Sequence, residues 1–418
     1  MPKSGYRCGN QQFSCGTRQG EGDMANQSLV RHINERRLLS ALRVYGPLPR
    51  AELARRLSLT RASVTGMVDD LVARRLVEER PARDDGQRRD VGRPGIDIAL
   101  APDGAHFLGV EIGVGVMRFA LLDLTASPVD TETVDLPTGA GAEAAIGLIE
   151  ARLAALRSNP RFAKTIRAIG VTVPGLVRSD GFVINLPILR WQHLPLGTLL
   201  DARIDLPCQI ENNAHAAAFG HIYSNPQAGE GVMVYLKIGT GCGGAVIVDN
   251  KLLRGANGLG AEIGHLRVAE DGPLCSCGRR GCLETFVNLR ALQRYATHKD
   301  VVERDVSIDL PNAVAERLAA GDREATAAIA ELSIYLLRGL VDLTNLFNPD
   351  AIVIGGAMLP LLDPIVDRIA GPLAEQIVPG MPMPRLTISR IGPFECAIGA
   401  AAMAHHEEFD LTNIDLHT

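Results

Sequence analysis

Two hydrophobic periods divide this sequence. Together they predict a small helix-turn-helix module with a wing, followed by a larger α/β domain built from two copies of one unit. Between residues 28 and 76 apolar side chains return every three or four positions, the period of amphipathic helices. From residue 107 onward short apolar strands alternate with helical stretches. The third observation is a repeat. Ile112-Gly113-Val114-Gly115 followed by Asp123 recurs as Ile238-Gly239-Thr240-Gly241 followed by Asp249, at an offset of 126 and with the same 11-residue interval. Two strand-turn-strand units at one offset predict a duplicated domain with a cleft between its halves. A chain of 418 residues has room for this, since domains run to roughly 100–200 residues each.

Residues 1–23 are rich in Gly, Ser and Gln and show no apolar period, which predicts a disordered leader, with Met24 as a candidate start. Cys8 and Cys15 lie in it without His or Cys at metal spacing, so they read as exposed unpaired thiols. The winged module is expected over 24–100. Val30, Ile33, Leu38 and Leu42 mark its first helix, Leu53 and Leu57 its second, and Val64, Met67, Val68 and Leu71 its third. Gly46-Pro47-Leu48-Pro49 separates the first two, and Ser58-Leu59-Thr60 leaves the three-residue turn of a helix-turn-helix. Leu76-Val77-Glu78-Glu79 and Ile96-Asp97-Ile98-Ala99-Leu100 then read as strands around a loop carrying Arg83, Arg88, Arg89 and Arg93.

Charge follows the same boundary. Residues 1–95 carry 18 Lys/Arg against 11 Asp/Glu, and the remainder 25 against 37, so a module of net +7 precedes a domain of net −12. That asymmetry suits nucleic-acid binding by the first part. The segment resembles the winged helix-turn-helix of bacterial repressors, most clearly in Arg50-Ala51-Glu52-Leu53-Ala54 and Thr60-Arg61-Ala62-Ser63-Val64-Thr65. The resemblance implies duplex operator DNA as partner, with the helix over 61–74 in the major groove and Arg61, Ser63 and Thr65 facing base edges or phosphates. Arg93, within Gly92-Arg93-Pro94, is either a minor-groove arm or a solvated linker residue.

The larger domain is expected over 101–418, in two lobes. Strands at 107–112 and 116–123 are joined by a glycine turn, a helix covers 142–156, and 167–173 is a further buried strand. The Leu-rich run 327–346 suits a core or dimer helix. Trp191 reads as packing, and His405 and His406 as solvated. No apolar run approaches the roughly 18 residues of a membrane helix, and the N-terminus lacks a signal-peptide core, so the expectation is a soluble cytoplasmic protein without membrane contact.

The most specific chemical signal is His265 followed by Cys275-Ser276-Cys277-Gly278-Arg279-Arg280-Gly281-Cys282. Three thiols and one imidazole make a closed tetrahedral set for Zn²⁺, which predicts a structural rather than a catalytic metal. Gly239-Thr240-Gly241-Cys242-Gly243-Gly244 reads equally well as a phosphate loop, whose N–H groups approach an anion, and as a hairpin that needs glycine for tight turning.

Val173-Pro174-Gly175, Glu211-Asn212-Asn213-Ala214, the Gly239 loop, Glu262-Ile263-Gly264-His265, the Cys cluster running into Leu283-Glu284, and Ile354-Gly355-Gly356 come in the order found in the ROK family of repressors and sugar kinases. The sequence resembles that family over about residues 107–405 and, with the winged helix in front, its transcriptional repressors of sugar catabolism. The resemblance implies the actin-like ATPase fold of two ribonuclease-H-like halves. It also implies a sugar effector bound by Gly175, Asn212, Asn213, Glu262, His265 and Glu284, and a homodimer or homotetramer. Two departures bear on activity. Family kinases hold ATP phosphate on an Asp-x-Gly-Gly-Thr turn, where this chain has Glu111-Ile112-Gly113-Val114-Gly115. Their catalytic aspartate follows Glu-Asn, where this chain has Asn213. An amide cannot take a proton from a sugar hydroxyl, a contribution worth about 10² to 10⁴ in rate. Glu211 or His215 would have to reach the same hydroxyl to replace it. The expectation is therefore a regulator with no catalytic residue; an active kinase fused to a DNA-binding domain is the alternative.

Overall fold

The computed structural model describes residues 19–82, 95–137, 139–299 and 306–409. They form two compact units, a small one from the described residues of 1–70 and 79–99, and a large one from 71–78 and 100–408.

In chain order the first part holds α1 (Gln19–Tyr45), β1 (Leu48–Pro49), α2 (Arg50–Leu57), α3 (Arg61–Ala73), β2 (Val77–Pro81) and β3 (Ile96–Leu100). Leu38 and Leu42 of α1, Leu53 and Leu57 of α2, and Val64, Met67 and Val68 of α3 are all buried, as the helical spacing requires. Val30, earlier on α1, is half exposed. The turn between α2 and α3 is built from local chemistry. Ser58 takes the left-handed conformation and its N–H closes α2 on the carbonyls of Ala54 and Arg55. Thr60 then accepts the Ser63 N–H on its hydroxyl at 3.1 Å, capping α3. Arg50 holds the start of α2 to Asp69 at 2.8 Å and to Glu79 at 3.0 Å.

Two features differ from the expectation. α1 begins at Gln19, so residues 19–23, expected in the leader, are helical; the segment has no proline to stop a helix once the apolar stretch behind it has formed one. Gly46-Pro47-Leu48-Pro49 is more than a break, because Leu48 and Pro49 pair antiparallel with Ile98 and Asp97 in a sheet of order β1-β3-β2. Pro49 is tolerated there because an edge strand needs no second row of N–H donors.

The large unit is a duplication. Its first lobe contains β4 (His106–Ile112), β5 (Val116–Asp123), β6 (Pro128–Asp135), α4 (Ala142–Ser158) and β7 (Ile166–Val173). A small sheet of β8 (Leu176–Val177), β9 (Val183–Leu186) and β10 (Trp191–Leu194) follows, then α5 (Leu196–Asp201), β11 (Cys208–Asn212) and α6 (Asn213–Ser224). The second lobe contains β12 (Val232–Ile238), β13 (Cys242–Val248), β14 (Lys251–Leu252), α7 (Leu289–Thr297), α8 (Leu310–Ala319), α9 (Arg323–Phe347), β15 (Ala351–Gly355), α10 (Leu359–Gln376) and β16 (Arg385–Ile388). α11 (Glu395–Phe409) ends the described chain. The five-stranded sheets have orders β6-β5-β4-β7-β11 and β14-β13-β12-β15-β16. In each, the first strand is antiparallel to the second and parallel to the fourth. The hairpins β4/β5 and β12/β13 are the two copies that the 126-residue offset predicts.

Strand alternation then assigns the faces. Leu108, Val110 and Ile112 point into a core with Ile146, Ile149 and Trp191, while Val234, Leu236 and Ile238 point into one with Leu336, Leu340 and Ile365. The alternate residues face the other way. There α11 lies so close to the first sheet that a Cβ on Gly109 would come 1.8 Å from the Ala397 carbonyl, and one on Gly170 2.0 Å from that of Ala400. His405, expected to be solvated, is buried in this packing. Its Nδ1 meets the Tyr223 hydroxyl at 2.6 Å and its Nε2 the Leu124 carbonyl at 3.0 Å. Small residues let α11 approach, and the imidazole is enclosed with it. Among the described residues no helix is long and apolar enough to cross a membrane.

Candidate functional site

The candidate site lies where β4, β11 and β12 end and α6 begins. Asn212 closes β11 and caps α6, its Oδ1 accepting the N–H groups of Ala214 at 2.7 Å and His215 at 3.4 Å. Its Nδ2 donates to the Gly175 carbonyl at 3.0 Å. Gly175 itself has no room for a side chain, since a Cβ would sit 2.7 Å from the Asn185 carbonyl oxygen. Its placement serves the position of Asn212. Asn213, the first residue of α6, is buried; its Nδ2 meets Glu111 Oε1 at 3.4 Å and its Oδ1 has no partner.

Behind these residues Glu211 carries a small network. Its carboxylate accepts the Asn212 N–H at 2.9 Å, meets His215 Nδ1 at 3.1 Å and pairs with Arg254. His215 Nε2 meets the Gly260 carbonyl at 3.2 Å, so α6 is tied to the loop that leads into Glu262. Burial pushes the Glu211 carboxyl up, but His215, Arg254 and the Asn212 N–H outweigh it and hold it below the ordinary value of 4.5.

Glu262, His265 and Glu284 converge from the second lobe. His265 Nε2 lies 3.8 Å from Glu262 Oε2, while its Nδ1 lies 3.3 Å from Cys275 Sγ. The two ring nitrogens thus look in different directions. Glu284 Oε1 accepts from Cys275 Sγ at 2.8 Å and from Ser276 Oγ at 2.9 Å. Burial raises the Glu262 carboxyl. The donor atoms of His265, Cys275, Cys277 and Cys282 all lie within 4.8 Å of one another, a cluster able to hold a metal ion. The loop is shaped for that convergence, with Gly278 and Gly281 at positive φ.

The glycine loop between β12 and β13 separates into two functions. Gly243 and Gly244 serve packing, since a Cβ on Gly244 would lie 2.6 Å from Ile263 and one on Gly243 3.1 Å from Ala214. Gly239 and Gly241 do not. Neither has positive φ, and added Cβ atoms would make only ordinary contacts, the nearest at 3.6 Å and 3.7 Å. Tight turning therefore does not explain those two glycines.

On α3, Arg61, Ser63 and Thr65 are all exposed. No carboxylate pairs with Arg61 among the described residues, while the Thr65 hydroxyl donates back to the Arg61 carbonyl at 2.9 Å and Ser63 Oγ meets Thr60 Oγ1 at 2.8 Å. Arg93 lies outside the described residues.

Residues 107–407 match the ROK family, and residues 32–88 match the MarR family. The chain belongs to the ROK family. A xylose repressor of Caldicellulosiruptor bescii is 28% identical over 342 residues, covering 79% of this chain and 85% of its own. A crystal structure of a ROK family transcriptional regulator, a homologue of the E. coli MLC protein, shares the fold over 91% of this chain and 97% of its own, with 24% identity and a TM-score of 0.74. A ROK family glucokinase from Streptomyces griseus, solved with glucose and AMPPNP, is 30% identical and covers 72% of this chain and all of its own, with a TM-score of 0.63. The large unit therefore has the actin-like fold of ROK kinases, here behind a winged helix.

Glu111 was visible as a departure from the phosphate turn; its neighbours were not. Arg118, opposite Glu111 in the β4/β5 register, meets Glu111 Oε2 at 3.2 Å. Lys237 Nζ stands 3.9 Å from Glu111 Oε1. The signal that would have found it is the repeat, for position 237 is position 111 plus the offset of 126.

Proposed function

We propose that this ROK protein is a sugar-responsive, DNA-binding transcriptional regulator, acting as a cytoplasmic repressor of carbohydrate uptake or catabolism genes. The observation that carries it is the combination of a winged helix, which exposes Arg61, Ser63 and Thr65, with a ROK domain in which Glu262 and Glu284 both lie within 4 Å of His265. A sugar requires several fixed donors and acceptors, because each unmet buried polar group costs about 1–3 kcal/mol. These side chains supply both, with Gly175 holding Asn212.

The metal is a structural Zn²⁺. Tetrahedral zinc, with bonds of about 2.3 Å, sets sulfurs about 3.8 Å apart; Cys277 and Cys282 stand at 3.7 Å. His265 would ligate through the nitrogen on the Cys275 side and keep the other for the ligand. Bound zinc supplies charge neutralisation for the thiolates and a fixed His265 ring. Cys277 favours that state: burial pushes its thiol up, but hydrogen bonds from Arg279 and from the Cys275 and Cys282 side chains outweigh it and hold it below the ordinary value.

No residue acts as catalytic base. Asn213 has no basic atom, and its amide is committed to Glu111. His215 has both ring nitrogens on protein acceptors and Glu211 is paired with Arg254. The glucokinase likeness favours a second reading, an active sugar kinase with a DNA-binding module. A thermal-shift screen of sugars, followed by a DNA-binding titration with the hit and a coupled phosphorylation assay, separates the two. Sugar-dependent DNA binding without turnover supports the regulator; turnover supports the kinase.

A further inference from the structure

Between β14 and Glu262 the chain leaves the sheet of the second lobe and is held by the first lobe at three points. Arg254 pairs with Glu211, near the end of β11. The Gly260 carbonyl meets His215 Nε2 at 3.2 Å, and the Asn257 carbonyl accepts the Ser179 N–H at 3.1 Å. The segment also closes on itself, since the Gly260 N–H donates to the Arg254 carbonyl at 2.8 Å. A Cβ on Gly260 would lie 2.9 Å from that carbonyl oxygen, so the neck is pinched to the width of the backbone. A compact loop whose ends meet while its tip docks on the other lobe is a strap.

The strap ends in a strained turn. Ala261 stands at φ 60°, a left-handed conformation that a residue with a Cβ rarely adopts. Its carbonyl accepts the Ile263 N–H at 2.7 Å across Glu262, whose φ of −72° and ψ of 60° are those of an inverse γ-turn. Strain of this kind persists only where the surroundings over-determine it. On one side Ile263 is buried in the core of the second lobe. On the other, the carbonyl that His215 holds belongs to the planar peptide entering Ala261, so His215 fixes the plane from which the turn departs. Glu211 joins these contacts, since its buried carboxylate meets His215 Nδ1 at 3.1 Å, pairs with Arg254 and accepts the Asn212 N–H at 2.9 Å. One carboxylate thus sets Asn212 directly and Glu262 through the strap.

We infer that Arg254 and His215 are positioning residues for Glu262, holding the strap so that the Ala261 turn presents the Glu262 carboxylate to a ligand. This rests on the sugar-pocket reading above and adds how the pocket is set. Two measurements on the zinc-loaded full chain test it. Without ligand, amide exchange read by mass spectrometry quickens about ten-fold or more over residues 255–263 in Arg254→Met and in His215→Phe, while β12 and β15 keep their protection. In isothermal titrations with a panel of pentoses, hexoses and amino sugars, including xylose, glucose and N-acetylglucosamine, Arg254→Met binds the tightest of them about ten-fold or more weakly than the unmodified protein. In a Glu262→Gln background, which keeps a hydrogen-bonding amide, the same substitution changes affinity by less than about three-fold, whereas a purely structural role costs the same in both backgrounds. Zinc content and melting temperature check folding. Ala261→Gly serves if those variants do not fold, since it frees the turn and weakens sugar binding without lowering the melting temperature. Unchanged exchange in Arg254→Met or His215→Phe, unchanged affinity in Arg254→Met or Ala261→Gly, or equal losses with and without Glu262 overturns the inference and leaves the pocket standing. Binding of no sugar in the panel removes the pocket reading and this one together.

Discussion

His265 and Asn213 concentrate the chemistry of this protein. His265 presents one nitrogen to the cysteine cluster and the other to Glu262, so a metal held by that cluster would also fix a side chain of the proposed ligand site. Cys277→Ser is expected to lower zinc from about one ion per chain and to destabilise the domain, because metal binding is coupled to folding; metal analysis and a melting curve check both. Retention of full zinc would remove Cys277 from the ligand set. Asn213 carries the other claim at this scale. A coupled assay over common hexoses and amino sugars is expected to show no ATP-dependent phosphorylation. Asn213→Asp alone need not restore it, since Gly115, at φ 72°, still forms a turn without the Thr of the kinases. Turnover by the unmodified protein would reverse the assignment.

Among the elements, α3 and the α6 latch make the sharpest predictions. With Arg61 exposed and paired with no carboxylate among the described residues, Arg61→Ala should weaken specific DNA binding by about 1–3 kcal/mol if it reads a base edge. Thr65→Ala should cost less, because its hydroxyl hydrogen is already given to the Arg61 carbonyl. Fluorescence anisotropy over a salt series measures both, and affinity should fall steeply with salt; unchanged binding in both variants would put another element in the groove. The latch gives a pH dependence. Glu211 lies below its ordinary value of 4.5, so its anionic form adds stability above that pH, lost as pH falls through the lower folded value. Glu211→Gln is expected to lower stability near neutral pH by about 1–3 kcal/mol and to flatten the loss below pH 4.5. Melting curves from pH 3 to 7 test this; equal acid sensitivity in the two proteins contradicts it. The same elements show what was legible. Helices, hairpins and the His/Cys cluster follow from period and spacing, which are local. β1 was hidden because Leu48-Pro49 is two residues long and acquires meaning only opposite β3. His405 looked solvated because its burial depends on Gly109 and Gly170 admitting α11 from the far end of the chain. Lys237 looked like an ordinary strand residue until the sheets brought it to Glu111.

At the scale of the whole molecule the duplicated domain supplies two lobes with proposed ligand groups on both, Asn212 and Asn213 from one and Glu262, His265 and Glu284 from the other. A ligand that bridges them favours whichever arrangement it fits, and it can alter DNA affinity only through different affinities for the DNA-competent and DNA-incompetent states. Such coupling is typically about 1–3 kcal/mol and is reciprocal, so operator DNA must change ligand affinity by the same factor. The most direct test of this account is operator affinity with and without the ligand that binds most tightly in the titrations, for the unmodified chain and for Glu284→Ala, which spares all four proposed zinc ligands. The unmodified protein should change its DNA affinity about 5- to 150-fold on saturation, while Glu284→Ala keeps its zinc and its ligand-free DNA affinity and loses the response. A variant that responds like the unmodified protein would contradict the assignment of the cleft as the sensor.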